Sequence, residues 1–374
     1  MDDDESVPRG LRIAAAWSWR VLLVVAVVAV VVWLVIQFRL VVIPLLGAIL
    51  LAALLGPFSS WLQRRRWPKW AAVTASMVGA LALVGGLVTL VVFQIRGGWN
   101  DLVAATLVAL DDAGGWLAGP PFNLELGDVR QAILDWWAAF SHDTSTIWSG
   151  ALSVGSTAGH VLAGLLLALF ATLFLLIDGA RIWRWFLGLF PRRARPRTDA
   201  AARAGWTTLT TFARIQIFVA AVDAVGIGLG AWILGLFYGG FPLVIPIAVV
   251  VFLASFIPII GALVSGALAV FVALVYLGPV PAIIMLAIVV LVQQIEGHVL
   301  QPLVMGTAVR IHPLAVVFAV AAGSLIAGIP GALFAVPLVA VANVVIRRLA
   351  GGTQEAPPAE GQNGAARIAE GGGG

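Results

Sequence analysis

A chain of 374 residues that is 61% hydrophobic and only 11% charged stands well apart from soluble domains, in which roughly a quarter of residues are charged. It reads as a membrane protein, and its net charge of +4 carries no message about nucleic acid, because the basic residues fall in particular loops. With no cysteine, disulfides and thiolate chemistry are excluded.

Apolar runs of about 20 residues, the length a helix needs to cross roughly 30 Å of hydrocarbon, recur along the chain. After an N-terminal segment (1–20) the first run, 21–38, has no small-residue cleavage site behind it and reads as an anchor. Runs at 40–58 and 70–93 complete a first group of three spans, with Arg39 in a tight reversal between the first two. The segment 94–160 contains two amphipathic stretches, 101–117 and 128–140, each opened by an aspartate able to cap a helix. Trp136 and Trp137 suit the headgroup layer or packing against the same protein equally well. A fourth span, 161–177, leads into an arginine-rich loop, 178–214, of the kind that lies on anionic lipid. The residues 215–349 form the last unit, expected to be a transport core with broken helices, and it opens on a fifth run at 215–237. The tail 350–374 has almost nothing to bury and is expected to be disordered.

Cytoplasmic loops close to span ends carry the excess of lysine and arginine. Residues 59–69 hold four basic residues and no acid, and 179–214 hold eight arginines against one aspartate, whereas 94–160 hold two arginines against seven acids. The first two segments are therefore expected inside and the third outside. Arg9, Arg12, Arg20, Arg347 and Arg348 put both termini inside as well. Termini on one side require an even number of crossings.

The remaining apolar material, 243–277, 280–292 and 313–346, is harder to divide. The first and last runs are too long for one span, and both are interrupted: by Pro258 and Gly261 in one, by Gly328, Pro330 and Gly331 in the other. Proline removes an amide donor and glycine permits sharp turns, so these breaks free main-chain groups that cannot face lipid and need protein or water beside them. A plain kink is the alternative. Eight crossings result if one broken run is a re-entrant hairpin. The expected fold class is thus an all-α polytopic membrane protein of about eight transmembrane helices, with broken or re-entrant helical hairpins in the C-terminal half.

Ionisable groups inside a bilayer are costly enough to mark function or pairing. Asp223 is the only charge between Arg214 and Glu296. Glu296 belongs to the stretch QQIEGHVLQ, in which Gln293, Glu296 and Gln301 share one side of an α-helix while Gln294 and His298, four apart, share an adjacent one. This polar stripe fits a face lining a hydrated pathway, a hydrogen-bonded seam between helices, or the polar end of a span. Motifs of catalysis are missing: there is no GxSxG, HExxH or GxxxxGK[ST], and four scattered histidines make no metal set. No enzyme activity, cofactor or metal is expected.

The run QQIEGHVLQPLVMGTAVRIHPLAVVFAVAAGSLIAGIPGALFAVP resembles the C-terminal signature of the autoinducer-2 exporter family through Gln293, Glu296, Pro302, Gly306, His312, Pro313, Gly328, Gly331, Ala332, Ala335 and Pro337. FIPIIGALVSG resembles that family's proline-glycine break, except that Ala262 stands where many relatives have a second proline. The resemblance spans about 21–349 and is specific in the last hundred residues. It implies a multi-pass inner-membrane secondary transporter and a homo-oligomer, a pentamer being one size considered. Its cargo would be a small polar solute such as autoinducer-2 or, by likeness to other members, sodium or lithium exchanged for protons. The substrate pathway would then run past Asp223, Pro258, Gly261, Gln293, Gln294, Glu296, His298, Gln301, Pro302, Gly306, Gly328, Pro330 and Gly331, with Arg310, His312 and Pro313 as a loop signature. Membrane lipids are expected partners and nucleic acid is not. A membrane scaffold that transports nothing is the reading of a different class.

Overall fold

The computed structural model describes residues 9–117, 131, 155–257, 260–300 and 313–350. The described chain is helical and contains no strand, as hydrocarbon demands, because a helix satisfies its backbone polar groups within a single segment. In order, the helices are α1 (Arg9–Gln37), α2 (Arg39–Arg64), α3 (Lys69–Leu117), α4 (Gly155–Gly188), α5 (Arg195–Tyr238), α6 (Val244–Ala254), α7 (Ile260–Leu277) and α8 (Pro279–Ile295). A π-helical stretch (Glu296–Leu300) follows α8, and α9 (Pro313–Ala350) ends the described chain. Among the described residues eight helices are long and apolar enough to cross a bilayer; α6, with 11 residues, is not one of them. The protein is a multi-pass, all-α membrane protein.

Helix α5 is the hub. Its 44 residues extend about 66 Å and pack on α2, α4, α6, α7, α8 and α9. The main core gathers its C-terminal half with α6, α7 and α8 around the fully buried Ile227, Ile247 and Met285. Small residues permit this approach. A Cβ at Gly230 would run into Ile288 of α8, and one at Gly226 would lie 2.9 Å from Val292, so two positions four apart open a notch for α8, as in helix pairs packed in lipid.

Both interrupted runs fold back on themselves. Gly261 approaches Ala254 so closely that a Cβ would strike the Ala254 carbonyl, whereas seven residues of continuous helix would hold the two about 10 Å apart. Helices α6 and α7 are therefore two legs of a hairpin. In α9, Ala327 (φ −137, ψ 18) and Gly328 (φ 62, ψ −144) leave helical geometry, and Gly323 meets Gly331 backbone to backbone across the turn. Gly328 takes up the left-handed backbone that a Cβ resists, and Pro330 falls in the first turn of the returning leg, where a missing N–H costs little. The sequence count asks for one such hairpin; the structure has two. They touch: Ile257, in the turn between α6 and α7, packs on the cluster of Phe212, Val320, Ala332, Ala335 and Val336.

Three expectations are corrected. The stretch 101–117 is no separate helix, since α3 runs unbroken for 49 residues through Gly97 and Gly98, and Asp101 caps nothing. The arginine-rich segment 178–214 is mostly helix: α4 continues past a kink at Asp178 (φ −122, ψ 17) to Gly188, and α5 begins at Arg195. Arg195 closes this junction by donating to the carbonyls of Gly188 (2.9 Å) and Phe190 (3.0 Å), while Asp199 accepts from Trp183 Nε1 (2.7 Å) and Arg203 Nε (2.8 Å). Finally, α1 joins α2 through Phe38 alone, with helix-like bonds from Phe38 N–H to Leu34 C=O and Val42 N–H to Phe38 C=O carrying across, so no loop marks the reversal expected at Arg39.

Gly331→Ala should force the α9 hairpin apart and lower stability by about 1–3 kcal/mol, seen as a lower thermal midpoint in detergent. Gly79→Ala, with open space around it, should leave the midpoint unchanged.

Candidate functional site

Asp223 lies in the C-terminal half of α5 and is 2% exposed. Its Oδ2 is 3.2 Å from the hydroxyl of Ser255, and its Oδ1 has no hydrogen-bond partner among the described residues. No ion pair reaches it among the described residues. Ser255 terminates α6 immediately before the break, and its hydroxyl is also 2.8 Å from the Val251 carbonyl. A hydroxyl has one proton to donate. When Ser255 gives it to Asp223, the carboxylate accepts; when Ser255 gives it to Val251, Asp223 can bond to Ser255 only by donating a proton of its own. The contact therefore accommodates both charge states of Asp223 by rotation of one O–H.

The main chain at the break is also served. The Ser255 carbonyl, left free where α6 ends, accepts from Gln216 Nε2 at 2.6 Å. Gln216 sits two turns before Asp223 on the same face of α5. On the other side of the break the Gly261 carbonyl accepts from Ser265 Oγ at 2.7 Å.

Glu296 opens the π-helical stretch at the end of α8, half-buried, and the pairing of Gly230 with Ile288 and Gly226 with Val292 runs α8 antiparallel to α5, which brings Glu296 to the level of Asp223. Single π turns inside helical segments recur at functional sites. This one departs from α-helical register from Glu296 onward, and Gln301, expected on one side with Gln293 and Glu296, lies outside the described residues. Gln293 is partly buried, whereas Gln294 and His298 are exposed, with His298 Nδ1 3.2 Å from the Gln294 carbonyl.

The structure thus unites Asp223 and Glu296 with the break that Gly261 makes possible. It does not bring Gly328, Pro330 and Gly331 to Asp223; they form the turn of α9, which reaches the break through Ile257. Pro258, Gln301, Pro302, Gly306, Arg310 and His312 lie outside the described residues, and Pro313 opens α9. Ser255 and Gln216 went unnoticed in the sequence, although Gln216 is a polar residue at the head of an apolar run. No three His, Asp or Glu residues among those described gather to hold a metal.

A cleft of about 540 Å³ opens between α3, α5 and α6, lined by apolar residues such as Leu83, Leu87, Val225, Trp232 and Phe252. It is not the wetted hollow expected at the breaks. Its walls offer water no partners, and Asp223, next in sequence to the lining residue Ala224, is closed off from solvent.

A multi-pass helical bundle in which a half-satisfied buried carboxylate lies beside a broken hairpin has the make-up of a membrane transporter. The chain matches the model of the AI-2E family transporters over residues 22–351, and it belongs to that family. It is 40% identical over 358 residues to a Mycobacterium tuberculosis (strain CDC 1551 / Oshkosh) protein, covering 96% of each chain. It is 27% identical over 331 residues to YrrI of Bacillus subtilis (strain 168), covering 84% of this chain and 87% of that one. Both relatives carry names that assign them to transport.

Ser255→Ala removes the one hydrogen bond to Asp223 and should lower stability by about 1–3 kcal/mol. In an Asp223→Asn background the same change should cost measurably less, a coupling that thermal unfolding of the four chains in a double-mutant cycle reads directly.

Proposed function

We infer that the chain is a secondary transporter that exports a small polar solute, autoinducer-2-like in size and polarity, across the inner membrane, with both termini on the cytoplasmic side. The observation that carries this reading is the unpartnered Oδ1 of Asp223, buried beside a helix break. An acceptor held in apolar surroundings with nothing to accept from is costly, and discontinuous helices with free main-chain groups are the means by which carriers bind polar cargo at mid-membrane. Binding a donor there, from a solute hydroxyl, a proton or a cation, satisfies the oxygen. The site is closed to solvent in this arrangement, which is one of the states an alternating-access carrier must visit, and the contact of the two hairpins at Ile257 gives them a common surface on which to move.

A second reading, exchange of sodium or lithium for protons, is favoured by a separate observation: Asp223 and Glu296 are two carboxyl groups at one level of the packed helices α5 and α8, and Ser255 can serve Asp223 with or without a proton. In that reading both carboxylates exchange cargo, and the solute is the ion itself.

Reconstituted into proteoliposomes, Asp223→Asn and Glu296→Gln should each slow solute efflux by about tenfold or more, equivalent to about 1.4 kcal/mol of barrier, with the thermal midpoint retained. Efflux unchanged in both variants would remove the site from the mechanism. Sodium addition to vesicles holding a pH-sensitive dye separates the readings: proton movement that disappears in Asp223→Asn supports exchange, and a flat trace supports solute export.

A further inference from the structure

The elbow between α4 and α5 holds its shape with one set of side chains and turns a different set outward. Within it, Trp183, Phe186 and Phe190 form a row of ring contacts with centroids 5.5 Å apart at each step, Asp199 accepts from Trp183 and Arg203, and Arg195 donates to Gly188 and Phe190. Two kinds of residue are left over. Ile182, Trp185 and Leu189 recur at helical spacing along and just past the end of α4 and make an exposed apolar stripe, Trp185 being 69% and Leu189 65% exposed. Arg181 and Arg184 flank that stripe, and Arg192, Arg193 and Arg197 follow it around the turn, all of them exposed. None of these arginines makes an ion pair among the described residues.

No single solvent suits such a surface. Water would wet Trp185 and Leu189, and hydrocarbon would strip the guanidinium groups of their hydration. The boundary between the two accommodates both, as it does for a basic amphipathic helix lying in the headgroup layer. Neighbouring elements put the elbow at that depth. Lys69, which donates to the Ile177 carbonyl just before the α4 kink, stands between the exposed Trp67 and Trp70, and indole rings collect at the membrane interface. The returning leg of α9 runs antiparallel to α5, Ala332 clustering with Phe212 and Val345 meeting Gly205, so Arg347 and Arg348 come level with the Asp199–Arg203 pair. The basic stretches therefore share one end of the bundle. Among the described residues the carboxylates at this end are Asp178, at the kink, and Asp199, already engaged.

We propose that the α4–α5 elbow is a binding site for anionic phospholipid, its arginines taking the phosphate and its apolar stripe lying among the upper acyl carbons. Charge selects this occupant. A guanidinium fork matches phosphate oxygens two at a time, and unpaired cations favour a lipid of net negative charge over a zwitterion that brings its own ammonium with it. Because α5 begins at Arg195, lipid bound there also steadies the head of the helix that carries Asp223.

The test compares thermal midpoints of the full chain in nanodiscs of phosphatidylcholine alone and of phosphatidylcholine mixed with phosphatidylglycerol. A ligand that binds the folded chain raises its midpoint by mass action, so phosphatidylglycerol should raise it by a few degrees, and added salt should shrink the rise by screening. In the triple substitution Arg192→Gln, Arg193→Gln, Arg197→Gln the rise should fall by about half or more, with the midpoint in phosphatidylcholine alone retained, and the corresponding lysine substitutions should restore part of it. Equal midpoints of the native chain in the two lipids, or a rise of undiminished size in the glutamine chain, overturns the proposal. So does an equal rise in phosphatidylcholine alone on adding inorganic phosphate or a short RNA, since the face would then serve a soluble anion. Native mass spectrometry of the unaltered chain is independent of any variant's folding. Phosphatidylglycerol should stay bound after phosphatidylcholine has been stripped, and equal loss of the two lipids would sink the idea.

Discussion

Hydrocarbon supplies no hydrogen bonds, and the rest of this molecule follows from how it copes with that at each place where a helix stops. At several places where α-geometry fails, a side chain reaches the carbonyl left free. Gln216 serves Ser255 at the α6 end, and Arg195 serves Gly188 and Phe190 at the α4–α5 junction. At the kink of α4, Lys69, the only lysine in the chain, donates to the carbonyl of Ile177. Gln216 with Ser255 and Lys69 with Ile177 join positions 39 and 108 residues apart, so satisfying the backbone there also sets the tertiary arrangement.

Against that pattern the unpartnered oxygen of Asp223 stands out. At the α6 end, the α4 kink and the α4–α5 junction a carbonyl finds a donor within the chain, whereas this acceptor has none among the described residues, in the part of the core where α5, α6, α7 and α8 converge. A structural polar seam would close its own bonds; a binding site must keep one available. The notches at Gly226 and Gly230 hold α8 against α5 just above this point, which keeps Glu296 near Asp223 without a direct bond between them.

Much of this was legible in the sequence, and the failures have definite causes. Spans can be read because length and apolarity are set by bilayer thickness, and the two breaks can be read because proline and glycine disrupt helices, although the crossing count calls for only one of them to be a re-entrant hairpin. Asp223 and Glu296 announce themselves as charges in apolar runs. Ser255 and Gln216 do not, since both residue types are common in membrane helices, and their pairing joins positions 39 residues apart, which no local pattern records. The arginine-rich segment looks like a loop because its composition speaks of solvent and headgroups while saying little about backbone. Gly97 and Gly98 suggest a break where α3 simply continues, as glycine in a helix costs only about 1 kcal/mol. The π stretch at Glu296 carries no compositional signal at all, so a polar stripe drawn on an ideal α-helix does not foresee it, although Gln294 and His298 still meet.

The unbroken length of α5 has a mechanical consequence. Asp199 and Asp223 sit on one rod about 36 Å apart, the first clasped by Trp183 and Arg203 among the basic side chains, the second buried beside Ser255. Tilting such a rod by about 5° around its buried end would sweep the clasped end through about 3 Å, given that spacing, roughly the length of a hydrogen bond. Leverage of that size means that the Trp183–Asp199 clasp and the Asp223 contact share one degree of freedom, so whatever grips the basic end of the rod also has purchase on the carboxylate at its core.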